Sequence, residues 1–171
     1  QASVGSSLWQ LAVDPNFGGP LFVTDRGTDQ VRFIDAETLS ESNAVTVGDD
    51  PWGIDVDYPF VMVCCEDSHD VFRINVDSGE TLRMALDLDA DPRDVSVVTG
   101  WMTVGNELVM GAAYVTGGQT SAGSPIYAID MYNFELLDTF YLPGTNANVV
   151  SVESQWPLPS AVDDLPGAQL L

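Results

Sequence analysis

Apolar residues along the chain alternate with polar ones over short runs, and turn-forming residues separate the runs. Ser6 to Asp14 carries apolar side chains at 9, 11 and 13, the period of a half-buried strand. Leu21 to Asp25 and Gln30 to Asp35 follow, joined by the polar turn Arg26-Gly27-Thr28-Asp29, and read as a hairpin. Ala44 to Val47 supplies a fourth strand. Helical templates fit nowhere over more than a turn or two, because Gly, Pro and β-branched residues recur too often.

The same succession then returns. Ile54-Asp55-Val56-Asp57 matches Leu11-Ala12-Val13-Asp14 at an offset of 43, and Val71-Phe72-Arg73-Ile74-Asn75 matches Val31-Arg32-Phe33-Ile34-Asp35 at an offset of 40. Phe60 to Cys65 precedes the second of these, and Thr81 to Leu88 closes the cycle. Asp91-Pro92 opens a third cycle 41 residues after Asp50-Pro51. Its strands are Asp91 to Val97, Leu108 to Thr116, Ile126 to Asp130 and Leu136 to Leu142, with a longer loop from Gly117 to Ser124. Val149 to Val152 matches the first strand of each cycle once more.

A period of about 40 residues with four strands in each is the pattern of β-propeller blades. The expected fold is all-β, of four-stranded antiparallel blades, about three blades plus an extra strand. Its repeat region spans residues 1–154, with blades near 8–48, 51–88 and 92–142 and the extra strand at 147–154. Residues 155–171 are proline-rich and read as a C-terminal tail. A ring normally closes with about four to eight blades. Three leave it incomplete within this chain, and an open stack exposes apolar blade faces. The chain is therefore expected to pair with copies of itself or with another protein chain, or to be part of a longer protein.

Charge narrows the partners. The 171 residues hold 26 acids and five bases, a formal −21; all five bases are arginines, and lysine is absent. Such a surface repels phosphate, which argues against nucleic acid and anionic membranes. The acidity suits solubility in high salt, a cation-binding surface or a basic partner. No run of about 18 apolar residues is present, so no membrane-spanning helix is expected. Gln1, without a preceding Met, reads as the start of a processed or trimmed chain.

Several residues are candidates for chemistry. Cys64-Cys65 are adjacent and cannot staple distant segments. On a strand they point to opposite faces, as two small buried hydrophobes; the sharper reading is a vicinal disulfide lining a ligand site. Asp87, Asp89 and Asp91 space carboxylates as calcium loops do, although Pro92 stands where such a loop needs glycine. Calcium is the one cofactor this suggests. His69, the single histidine, sits between Ser68 and Asp70 in a turn from which a catalytic relay would diverge. Trp52 is a candidate ligand-binding residue where innermost strands meet. Trp156 is a candidate interface anchor in the tail.

The phrases Phe22-Val23-Thr24-Asp25, Tyr114-Val115-Thr116-Gly117 and Asp50-Pro51-Trp52-Gly53-Ile54-Asp55-Val56 resemble the YVTN family of β-propeller repeats. The resemblance covers residues 8 to 154; it is good in two cycles and weak in the third, where Gly111-Ala112-Ala113 and the long loop depart from it. The second cycle has Val63-Cys64-Cys65 where the family has Val-Thr-Asn. The resemblance implies a propeller architecture and an extracellular, cell-surface or periplasmic setting. Relatives include surface-layer proteins and the large subunits of periplasmic amine dehydrogenases, and no activity follows from the repeat itself.

The resulting expectation is a non-enzymatic cell-surface or extracellular repeat protein acting in assembly or protein–protein interaction. Two alternatives stand beside it. One is a propeller segment or subunit of an amine- or quinone-dependent oxidoreductase. The other is a ligand- or glycan-binding propeller.

Overall fold

The structure, a computed structural model, describes residues 5–14, 19–86 and 91–143. Twelve strands fall into three four-stranded antiparallel sheets, each a meander with its strands in chain order. Blade 1 holds β1 (Leu8–Ala12), β2 (Leu21–Asp25), β3 (Gln30–Ile34) and β4 (Glu41–Thr46). Blade 2 holds β5 (Pro51–Asp57), β6 (Phe60–Cys65), β7 (Asp70–Asn75) and β8 (Thr81–Ala85). Blade 3 holds β9 (Pro92–Val104), β10 (Glu107–Gly117), β11 (Ser124–Asp130) and β12 (Glu135–Leu142). The all-β, propeller-type expectation is met. The extra strand at 147–154, the tail and Trp156 lie outside the described residues.

Repeated turn chemistry sets the registers. At each β3–β4-type turn a side-chain oxygen caps the backbone: Asp35 Oδ1 accepts from the Glu37 and Thr38 N–H groups. Asn75 Oδ1 accepts from Asp77 and Ser78, and Asp130 Oδ1 from Tyr132 and Asn133. Such Asx turns offer the chain a bend that a ladder cannot. Four residues after each cap comes a left-handed residue, Leu39 (φ 53), Gly79 (φ 74) or Phe134 (φ 56). Its N–H donates back to the carbonyl of the capping residue.

The blades stack face to face. We call the face toward the preceding blade the entry face and the opposite one the exit face. Strand alternation sends Phe22, Val31 and Phe33 from the exit face of blade 1 against Ile54, Val56 and Val63 of blade 2. The rings of Phe22 and Phe33 meet edge to face at 5.0 Å. A second core holds Met62, Cys64 and Val71 of blade 2 against Val95, Val115 and Ile129 of blade 3. Blade 2 is thus covered on both sides, and every residue of β6 is buried.

The innermost strands β1, β5 and β9 come closest together. A Cβ on Gly53 would lie 2.5 Å from the Cα of Asp94 and 2.8 Å from Cys64 Sγ. Only a residue without a side chain permits that approach.

Candidate functional site

Within each blade, the turn after the second strand hydrogen-bonds the residue just before that blade's innermost strand. The N–H groups of Arg26, Glu66 and Gly118 donate to the carbonyls of Ser7, Asp50 and Asp91. That repeat makes Trp9, Trp52 and Arg93 structurally equivalent, each two residues further along its innermost strand.

Around Trp52 the junction between blades 1 and 2 is densely paired. Arg26 Nε and Nη2 donate to the two oxygens of Asp50 at 2.5 and 2.6 Å, and Trp52 Nε1 donates to Asp50 at 3.0 Å. Hydrogen bonding to Arg26 holds the Asp50 carboxyl below the usual carboxylate range. The Arg26 guanidinium lies 4.1 Å from the Trp52 ring centroid and 5.0 Å from that of Trp9. The two indoles themselves meet at 4.6 Å and 64°. At the next junction the charges are exchanged: Glu66 takes the place of Arg26 and accepts from Arg93 Nε at 3.2 Å.

Deeper in the sheets, each junction has its own polar tie. Thr24 Oγ1 donates to the Trp52 carbonyl at 3.1 Å, from blade 1 to blade 2. Arg73 reaches from blade 2 to blade 3, where Nη1 donates to the carbonyls of Met131 (2.8 Å) and Tyr132, with its guanidinium 4.5 Å from the Phe60 ring. Asp55 Oδ2 accepts from the Val97 N–H at 2.8 Å. Burial and the charge of Asp94 raise the Asp55 carboxyl, although these backbone bonds oppose them.

Cys64 and Cys65 are free thiols, both fully buried, and on opposite faces of β6. Cys64 packs in the core with blade 3 and Cys65 in the core with blade 1. Burial pushes the Cys64 thiol well up and Cys65 up to about 12, so both stay protonated at neutral pH. Asp87 and Asp89 lie outside the described residues. Asp91 places Oδ1 3.4 Å from His69 Nδ1. Among the described residues no group of three His, Cys, Asp or Glu side chains is arranged to hold a metal ion. His69 occupies its turn with φ 53, half-buried rather than solvated.

The sequence reading missed Arg26 as the group that joins Trp9 to Trp52. It expected apolar faces exposed at the ends of an open stack, but did not single out the residues that carry the one on blade 1. Leu11 and Val13 are 51% and 47% exposed, whereas their equivalents Ile54 and Val56 are 2% and 6% exposed. The offset of 43 already pairs these residues, and the first copy of an interior position is the one with no preceding blade to cover it.

No family profile and no curated protein sequence matches the chain. Solved structures do. Hydrazine synthase from Kuenenia stuttgartiensis superposes with a TM-score of 0.67 at 19% identity, over 86% of this chain and 40% of that one. Selenomethionine-substituted virginiamycin B lyase from Staphylococcus aureus gives 0.61 at 13%, over 86% and 46%. Apo AztD from Citrobacter koseri gives 0.52 at 15%, over 86% and 50%. The chain spans half or less of each, and at these identities the likeness is one of fold: a stack of propeller-like blades.

Proposed function

We propose that this chain is a non-enzymatic β-propeller-repeat module, of the extracellular or cell-surface kind, that acts in assembly by packing an open blade face against a protein partner. The observation that carries this reading is the entry face of blade 1. Leu11 and Val13 stand in solvent at positions whose equivalents in blades 2 and 3, Ile54, Val56 and Val95, are core residues, with Val97 packed against the core. An apolar sheet face at those positions is an interaction surface. The resemblance of Phe22-Val23-Thr24-Asp25 and its repeats to YVTN proteins supports the cell-surface setting.

The test is the exchange of both residues, Leu11→Asp with Val13→Asp. Binding of a hydrophobic-surface dye and any association detected by light scattering should fall together. A wild-type chain that binds no dye and stays at 18.4 kDa at all concentrations would overturn the reading.

The Trp9–Trp52 pair favours a second reading, a ligand- or glycan-binding propeller. Trp9 is more than half exposed beside an indole that Asp50 holds in place, and sugars stack on such faces. A glycan-array signal lost in Trp9→Ala would support it, and a blank array would remove it.

A further inference from the structure

Blade 1 departs from the other two blades on its entry face. On the third strand, Arg32 pairs across the sheet with Val23, Phe72 with Val63 and Tyr127 with Val115, so the three hold equivalent places. Phe72 packs in the core that holds Phe33 and Val45 of blade 1, and Tyr127 in the core that holds Met62 and Val71 of blade 2. Two residues after those valines stand Asp25, Cys65 and Gly117. On the outer strand, Glu41, Thr81 and Leu136 pair with Ile34, Ile74 and Ile129. Blade 1 puts an ionised group at each of these places, and blades 2 and 3 put none.

The three groups form one network. Arg32 Nε donates to Asp25 at 2.7 Å, Nη1 to Glu41 at 2.7 Å and Nη2 to Thr28 Oγ1 at 3.1 Å. The Ser6 and Ser7 N–H groups close over Asp25, which is fully buried. Exposure then rises outward, to 13% for the Arg32 side chain and 33% for Glu41.

Such a network is a poor seat for a propeller blade. At the other two junctions the face laid against Phe72 or Tyr127 is apolar. Here a face of that kind would cover Arg32 and Glu41 without giving them a new polar partner, and taking ionised groups out of water in that way is costly. Two acids share one base, so the surplus charge is negative and lies at the exposed end, on Glu41. The apolar part of the face, Leu11 and Val13 on β1, is three strand spacings away, about 14 Å. The contrast is carried by β2, β3 and β4, and does not depend on what precedes β1 in the chain.

We propose that this network selects the partner of blade 1: a protein surface that sets apolar side chains on Leu11 and Val13 and a lysine or arginine opposite Glu41, rather than the apolar face of another blade. The inference rests on the assembly reading above and names the chemistry of the partner. A formal charge of −21 draws cationic surfaces in general. Glu41 gives that attraction a fixed place relative to the apolar strip.

The test uses two octapeptides as model partners, one alternating leucine with lysine and one alternating leucine with glutamate. Extended, each spans about 26 Å, enough to reach from β1 to β4. Displacement of a neutral hydrophobic-surface dye is read at about 0.15 M salt, where long-range attraction is screened. The lysine peptide should displace the dye from the wild-type chain and the glutamate peptide should not. Glu41→Gln should weaken the lysine peptide about fivefold, and Glu107→Gln, the same change of charge on β10, should leave it unchanged. Equal losses in the two variants would make bulk charge the cause and overturn the selection. Asp25→Cys with Arg32→Phe and Glu41→Thr installs the residues of blade 2, and should bind more dye and reach a higher mass than wild type at the same concentration. If that variant folds and shows neither, the network turns no blade away; if it does not fold, the Glu41 comparison decides. A wild-type chain that binds dye but releases it no better to the lysine peptide would overturn the partner's chemistry and leave the assembly reading standing. A chain that binds neither dye nor peptide and stays at 18.4 kDa would overturn both.

Discussion

Arg26 grips Asp50 with two parallel hydrogen bonds of 2.5 and 2.6 Å, and this pair fastens blade 1 to blade 2 at the end where Trp9 and Trp52 meet. Bidentate charge-assisted pairs are stronger than single contacts, but this one is partly exposed and screened. Arg26→Ala should cost about 1 kcal/mol and loosen both indoles. Thermal unfolding measures the first effect and tryptophan fluorescence the second. An unchanged emission spectrum would show that the indoles hold each other without the guanidinium.

Asp25 gathers an unusual number of donors. It accepts from the Ser6, Ser7 and Gly27 N–H groups, from Thr28 Oγ1 and from Arg32 Nε. Although burial pushes the other way, these bonds together hold its carboxyl far below the usual range. A depressed carboxyl contributes stability above its unfolded pKa of about 3.9, and that stability is lost as pH falls through the folded value. Acid unfolding below about pH 4 should therefore steepen with intact Asp25 and flatten in Asp25→Asn. At neutral pH Asp25→Asn should destabilise by about 3 kcal/mol, as removal of one partner from a buried pair does.

Asp57 has the opposite sign. Burial, then the charges of Asp14 and Asp55, raise its carboxyl. A raised carboxyl opposes folding once ionised, so Asp57→Asn should raise the melting temperature at pH 7. The gain should shrink as the pH is lowered and the wild-type group takes up its proton. A gain independent of pH would mean that charge is not the cause.

Gly53→Ala should cost about 3 kcal/mol, because the added methyl meets the backbone of Asp94 on the next blade, which cannot step aside. Gly19→Ala is the control, with nothing within 4 Å of the new atom. Equal melting temperatures for the two variants would contradict the close approach of β5 and β9.

The thiols give a probe of the whole stack. Although each is sealed by a different neighbouring blade, Cys64 and Cys65 should react with a maleimide together, at the rate at which the whole of blade 2 opens as one unit. Labelling of one sulfur well before the other would show that one junction opens alone.

Most of the fold was legible because the repeat carries its own punctuation. Strands β2, β3 and β6 fall where alternation and the polar turns placed them, and the offset of 40 between Asp35 and Asn75 is the offset between two Asx caps. The paired extension of β9 and β10 was not legible. The expected strand ended at Val97, short of the observed end at Val104, and nothing in the pattern of Thr99 to Met110 says that it folds back over Ala112 and Ala128. Arg73 was hidden for a related reason: on β7 it reads as a solvent-facing charge, while its partners are main-chain carbonyls 58 and 59 residues away. Backbone acceptors leave no mark in a sequence. The site was less legible than the fold, since Arg26 gains its meaning only when Asp50 and two indoles arrive from separate cycles.

The all-buried β6 has a consequence for how the molecule comes apart. Each blade is a local meander, but among the described residues only blade 2 has neighbours on both faces, so its amides depend on both junctions at once. Hydrogen exchange should proceed from the outside inwards, with β4 and β12 first and Val61 to Cys64 last. The slowest amides then report the free energy of dismantling the stack, and the difference between them and those of β2 reports the strength of one junction.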